Sequence, residues 1–177
     1  EPRFSADCLA ALFPFHLVFD STLCLVSVGP SLVRINPNLR PGVLLPEPWS
    51  VVSPPLAFRY DLIKANTASL FVLTDASTGC RLRGQMHPLP GEELMAFLGS
   101  PLLTEPGTMQ TWGLTFRDFA LHDCMPELGQ VCQLQSAAVE DLDRFVARLK
   151  QQREVIAESR RLIQGQLLER EALLGRH

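Results

Sequence analysis

Two short apolar runs open the chain, Phe13–Asp20 (FPFHLVFD) and Leu23–Val28, and the polar Asp20-Ser21-Thr22 lies between them. Runs of this length, rich in Phe, Val and Leu and joined by turn chemistry, predict a β-hairpin. Ser31–Ile35 fits one helical turn, ended by Asn36-Pro37 because a residue before proline is pushed out of the helical region. The proline-rich stretch Pro41–Pro55 predicts a loop with at most short helical turns. Beyond it Leu56–Ile63, Ser69–Thr74, Cys80–His87, Leu94–Leu98 and Thr111–Phe116 are strand candidates, with turn residues Asp75–Gly79 between two of them. Two strands, small helices and about three more strands predict an α+β domain, its antiparallel sheet covered on one face by helices.

The second part of the chain has a different grammar. All 14 prolines lie at or before Pro126, and charges of both signs are dense after it. So long a proline-free run predicts one long helix. It should begin near His122-Asp123, where the Asp123 carboxylate can accept from first-turn amides and Pro126 is tolerated in that turn. Leu128, Val131, Ala138, Leu142, Phe145, Leu149, Ile156 and Ile163 fall on one heptad stripe, and Leu167 and Leu174 continue it after a four-residue shift. Gln135, Gln152, Ser159 and Gln166 occupy the same seam, which trades stability for choice of register. The expected organisation is a domain over 1–125 and a signalling helix over 126–177. A parallel coiled coil between two chains is the expected fate of the seam; folding back onto the domain is the alternative.

Composition narrows the function. The chain is 46% hydrophobic and 20% charged with net charge −3, so no field drives it onto nucleic acid or an anionic membrane. Five cysteines without a CxxC pair predict reduced thiols and a cytoplasmic setting. No apolar stretch approaches the roughly 18 residues of a membrane span. The opening Glu-Pro-Arg has no signal-segment pattern, and the expectation is a piece of a longer polypeptide.

Catalytic chemistry is hard to find. His122-Asp123-Cys124 has ligand-type residues but no further ligand at metal-site spacing, so a helix cap beside a surface histidine is the better reading. His16, inside an apolar strand, reads as a hydrogen-bonded packed histidine rather than a haem ligand. Cys80 reads as a buried thiol. Glu92-Glu93 and Glu105 sit in loop-like contexts, and Glu140-Asp141 and Asp143 amid Arg144 and Arg148 read as a solvated helix face. Phosphate-binding glycine loops, nucleophile elbows and zinc-protease motifs do not occur in the sequence. No catalytic, cofactor-binding or metal residues are expected in this chain.

A resemblance adds to this reading. Phe13-Pro14-Phe15-His16 with Phe19-Asp20, Val28-Gly29 with Ser31-Leu32, Leu82-Arg83-Gly84-Gln85-Met86 and Phe97-Leu98-Gly99-Ser100-Pro101 occur in order. Gly113-Leu114, Asp118-Phe119 and His122-Asp123 follow. These blocks resemble the haem-NO-binding-associated family, the domain found beside the H-NOX sensor in soluble guanylate cyclases and bacterial signalling proteins. The short region before Cys80 is more similar to bacterial members. The resemblance implies a PAS-like sheet followed by a coiled-coil helix, with the haem held by a neighbouring H-NOX domain and no haem ligand in this chain. It implies a non-catalytic dimerisation and relay role, coupling nitric oxide sensing to a histidine kinase, diguanylate cyclase or guanylate cyclase.

The expected interface of a homodimer, or of a heterodimer with a paralogous subunit, comprises Leu9, Leu12, Phe13, Leu142, Phe145, Leu149, Ile156 and Ile163. The motif residues themselves are expected mainly to keep the fold, Gly84 by a bulge or a close backbone approach. The alternative function is a PAS-type sensor holding its own small molecule between sheet and helices.

Overall fold

The computed structural model describes residues 5–91 and 93–175. Glu92, of the Glu92-Glu93 pair, and His177 lie outside the described residues. Two compact units result, residues 1–133 and 134–177. The expected boundary at 125/126 coincides with the start of the last helix, whose first turns belong with the sheet unit.

The first unit carries an antiparallel six-stranded sheet. After α1 (Ala6–Leu12), β1 (Leu17–Asp20) and β2 (Leu25–Val28) form the expected hairpin. Asp20 Oδ1 stabilises its turn by accepting from the Thr22 and Cys24 amides at 2.9 and 3.0 Å. Then come α2 (Pro30–Ile35), β3 (Trp49–Ser53), α3 (Tyr60–Ala65), β4 (Leu70–Asp75), β5 (Arg81–Leu89) and β6 (Leu94–Pro101). The order across the sheet is β2-β1-β6-β5-β4-β3, so the last strand lies beside the first. This is the α+β, PAS-like arrangement expected.

One face of the sheet is the core face. Leu17, Phe19, Phe71, Leu73, Leu82, Met95 and Phe97 alternate with outward residues and are fully buried. They pack with Leu32 of α2, Ile63 of α3 and Trp49 of β3. The space between sheet and helices is thereby filled with large side chains.

Three expectations need correction. Leu56–Ile63 is not a strand: its second half enters α3, where Tyr60 and Ile63, three apart, turn the same way and Ile63 is buried. A short apolar run does not distinguish strand from helix by period alone, and here the i, i+3 spacing prevailed. Thr111–Phe116 is also not a strand. Thr111 ends a one-turn helix, α4 (Thr108–Thr111), Gly113 turns the chain at φ +62, and Phe116–Asp118 is a 3-10 turn. That turn is closed by a reciprocal cap between Thr115 and Asp118. Finally, Pro41–Pro55 is not all loop. Trp49–Ser53 between Pro48 and Pro54 forms β3 at the sheet edge, the place where flanking prolines cost no ladder hydrogen bond.

The second unit is a single element. α5 runs from Met125 to Leu174, 50 residues without a break, and its first turns lie in the sheet unit.

Candidate functional site

The motif blocks are scattered over more than a hundred residues of sequence, yet hydrogen bonds and ring contacts join them. At the entry to β1, His16 is 2% exposed. Its Nδ1 lies 2.9 Å from the Phe13 carbonyl and its Nε2 lies 3.0 Å from Ser27 Oγ. A carbonyl only accepts, so Nδ1 carries the proton and Nε2 accepts from the serine hydroxyl. Burial lowers the His16 pKa more than the Phe13 carbonyl raises it, and the net lowering favours this neutral ring. His16 is the packed histidine expected of it.

The next block closes on the first. The Gly29 amide donates to the His16 carbonyl at 2.8 Å, and the Ser31 amide to the Pro14 carbonyl at 3.0 Å. A Cβ at Gly29 would fall 2.1 Å from the Pro14 oxygen, so no other residue fits there. Ser31 Oγ donates to the Asp118 carbonyl at 2.5 Å, and Arg34 pairs with the Asp118 carboxylate at 2.6 Å. Phe15 and Phe119 stack tilted with centroids 5.0 Å apart. Burial would raise the Asp118 pKa, but hydrogen bonds from Thr115 and the Arg34 charge outweigh it and hold the carboxylate below its ordinary value.

The glycines of the β5 and β6 blocks face each other. Gly84 and Gly99 are register partners, and a Cβ on Gly84 would sit 2.3 Å from the Leu98 oxygen. On Gly99 it would meet the Arg83 oxygen at 2.4 Å and the Phe97 ring at 2.8 Å. This is the close backbone approach that a strand glycine signals.

Beside the glycine pair the sheet meets α5. Asp123 accepts from Ser100 Oγ of β6 through Oδ2 and from the Met125 amide through Oδ1, the latter at 3.0 Å. One carboxylate thus ties the sheet to the first turn of the long helix. Phe13 packs edge-on against His122, centroids 6.0 Å apart. A shallow groove of about 380 Å³ runs over this junction, lined by Phe13, Arg83, Gly84, Gly99, Ser100 and Asp123 among others. Pro126 is buried, and Gly129 sits where a Cβ would be 3.2 Å from the Leu103 side chain. Leu128 and Val131, the first seam positions, are about half exposed.

The expected interface residues lie in two places. Leu9 and Phe13 are half-buried in and after α1, and Leu12 is 39% exposed. Leu142, Phe145, Leu149, Ile156 and Ile163 follow one heptad stripe of α5, and all are exposed in the single chain. α5, the single element of its unit, does not cover this stripe itself.

Sequence reasoning identified Asp123 as the helix cap but missed its second partner, Ser100, and the pairing of Arg34 with Asp118. Ser100 and Asp123 both stand in motif blocks, and that was the available signal. The other polar clusters are structural. Asp75 is fully buried, accepting from Asn36, Ser77 and Thr78, and burial, then Asp75, push the neighbouring Cys80 thiol up to about 12. Among the described residues no three His, Cys, Asp or Glu lie close enough to hold a metal ion.

A six-stranded antiparallel sheet of PAS-like order followed by one long helix is the class of fold these elements define. Comparison with known proteins agrees: the family described as heme NO binding associated matches residues 2–79 and 73–174, and the chain belongs to it. Human guanylate cyclase soluble subunit alpha-2 is 22% identical over 172 residues, covering 90% of this chain and 24% of the relative. Human guanylate cyclase soluble subunit beta-2 is 26% identical over 156 residues, covering 82% and 25%. A soluble guanylate cyclase of Caenorhabditis elegans, gcy-31, is 23% identical over 171 residues, covering 78% and 24%. The chain spans about a quarter of the length of these relatives.

Proposed function

We propose that this chain is a non-catalytic relay: it pairs with a second chain through α5 and passes a change from a neighbouring haem-containing H-NOX sensor to an output domain. The observation that carries this reading is the double engagement of Asp123, which holds β6 through Ser100 and α5 through the Met125 amide. In this reading a displacement of β6 pulls on the start of the helix through that carboxylate. The uncovered apolar stripe beyond it supports pairing. Burying one large aliphatic side chain contributes about 1.5–3 kcal/mol, so several layers outweigh the cost of association. The filled interior between sheet and helices supports relay over capture of a separate small molecule.

In this reading the output domain is a nucleotide cyclase of the kind the relatives' names state, with a histidine kinase as the other candidate. The setting is cytoplasmic, in keeping with the absence, among the described residues, of a helix long and apolar enough to cross a membrane. The test is Asp123→Ala in the intact polypeptide carrying sensor and output domains. Sensor-ligand binding should remain while the output's response to that ligand falls at least tenfold. A full response from a folded Asp123→Ala protein removes the relay reading.

A further inference from the structure

The core covers one face of the sheet; the other is open over β4 and β5. In β5, Leu82 and Met86 are buried, so Arg81, Arg83, Gln85 and His87 point to the opposite face, where all four are exposed. Their register partners flank this row with apolar side chains. Leu70 and Val72 of β4 lie beside Gln85 and Arg83, and Leu98 of β6 lies on the other side of Gln85. Leu70 is 49% exposed, and Val72 and Leu98 are half-buried. A solvated sheet face ordinarily alternates to polar residues, so leucines at outward positions of two strands depart from what water alone demands.

The charge on this face is of one sign. Among the described residues, the outward positions of β4, β5 and β6 hold two arginines and no Asp or Glu. Among the same residues neither Arg81 nor Arg83 forms a salt bridge. Asp123, on the same groove as Arg83, already accepts from Ser100 and the Met125 amide. The chain as a whole carries a net charge of −3, so this local excess of base does not follow from composition. An apolar patch crossed by unpaired arginines is complementary to a partner that is both apolar and acidic.

We propose that the outer face of β4, β5 and β6 docks an acidic amphipathic helix, with Asp or Glu over Arg81 and Arg83 and apolar residues against Leu70, Val72 and Leu98. A helix suits a sheet face because its backbone is already satisfied, whereas a strand laid there would leave amides unpaired. Outward residues two apart on a strand are separated by about 7 Å, and helical residues four apart rise about 6 Å. Successive acids on one side of a helix therefore match successive arginines. The row from Arg81 to His87 spans about 20 Å, the length of about 14 helical residues. The apolar contacts supply attraction, and the arginines select the sign of the partner. This docking needs neither α5 pairing nor the Asp123 link, and so goes beyond the relay reading.

The test uses the full 177-residue chain and a synthetic helical peptide of that length, with glutamates four apart between leucines. A counterpart with lysine for each glutamate, and phosphatidylserine vesicles, are the comparisons. Binding is read by fluorescence anisotropy and located by amide NMR shifts. At low salt the acidic peptide should bind at least about tenfold more tightly than the lysine peptide and shift amides around residues 70–72, 81–87 and 98–100. The double variant Arg81→Glu, Arg83→Glu should lose about tenfold in affinity while its circular dichroism matches wild type. Arg81→Gln should show a smaller loss, and keeps the comparison if the double variant unfolds. Leu70→Ser should weaken binding at low and high salt alike. Equal binding of the two peptides, or no loss in the arginine variants, overturns the inference. Vesicle binding without binding of the acidic peptide assigns the face to a lipid surface and overturns it too. Each of these failures leaves the relay reading standing, because that reading is tested at Asp123.

Discussion

At the residue scale, glycines and a histidine hold the junction by what they exclude. Gly84 and Gly99 leave no room for a methyl group between two backbones and a phenyl ring. Gly99→Ala should cost about 1–3 kcal/mol in a urea melt, since backbone atoms yield less readily than a flexible side chain. His16 supplies a pH dependence of definite sign. The unfolded ring takes a proton near its ordinary value of 6.5, whereas the buried ring does so only at lower pH. The unfolded chain then binds more protons between those values, so stability should fall as pH drops below 6.5 and level off beneath the folded pKa. Unfolding midpoints measured across that window should slope less steeply in His16→Gln than in wild type; equal slopes would show that His16 is not the cause. Of these features the motif glycines were readable in the sequence only as strand glycines. What they approach depends on the pairing of β5 with β6, which no local pattern specifies.

At the element scale, α5 was the most legible part of the chain and the short elements the least. A helix that is free of proline from Glu127 to its end leaves a legible signal, and the cap at Asp123 with Pro126 in the first turn is where capping chemistry places it. Tyr60–Ala65 and Trp49–Ser53 are only five or six residues each, so their state was decided by neighbours: Ile63 by the core, and β3 by a free edge beside β4. α5 still carries a local weakness. A Cβ at Gly165 would meet nothing within 4 Å, so Gly165→Ala gains helix propensity with no steric cost. It should stabilise the distal helix by up to about 1 kcal/mol, read as increased helicity by circular dichroism and slower amide exchange near residue 165.

At the scale of the whole molecule, the candidate site is a set of tertiary ties rather than a motif. The resemblance could place Ser100 and Asp123 in separate blocks, but only the folded sheet brings the hydroxyl onto the carboxylate. Ser100→Ala should therefore leave the sheet intact while amides around 123–128 exchange faster by hydrogen–deuterium measurement. Unchanged exchange there would mean that the cap holds without the sheet.

The small residue at position 129 has a further consequence. Because it lies flat against Leu103, the opening turns of the last helix are locked about their own axis, with Leu128 and Val131 turned to solvent. Successive helical residues point about 100° apart, so a bulky substitute that forced even a one-residue rotation would swing those positions by more than a quarter turn. Gly129 thus sets the angular position of the helix's opening turns within the sheet unit.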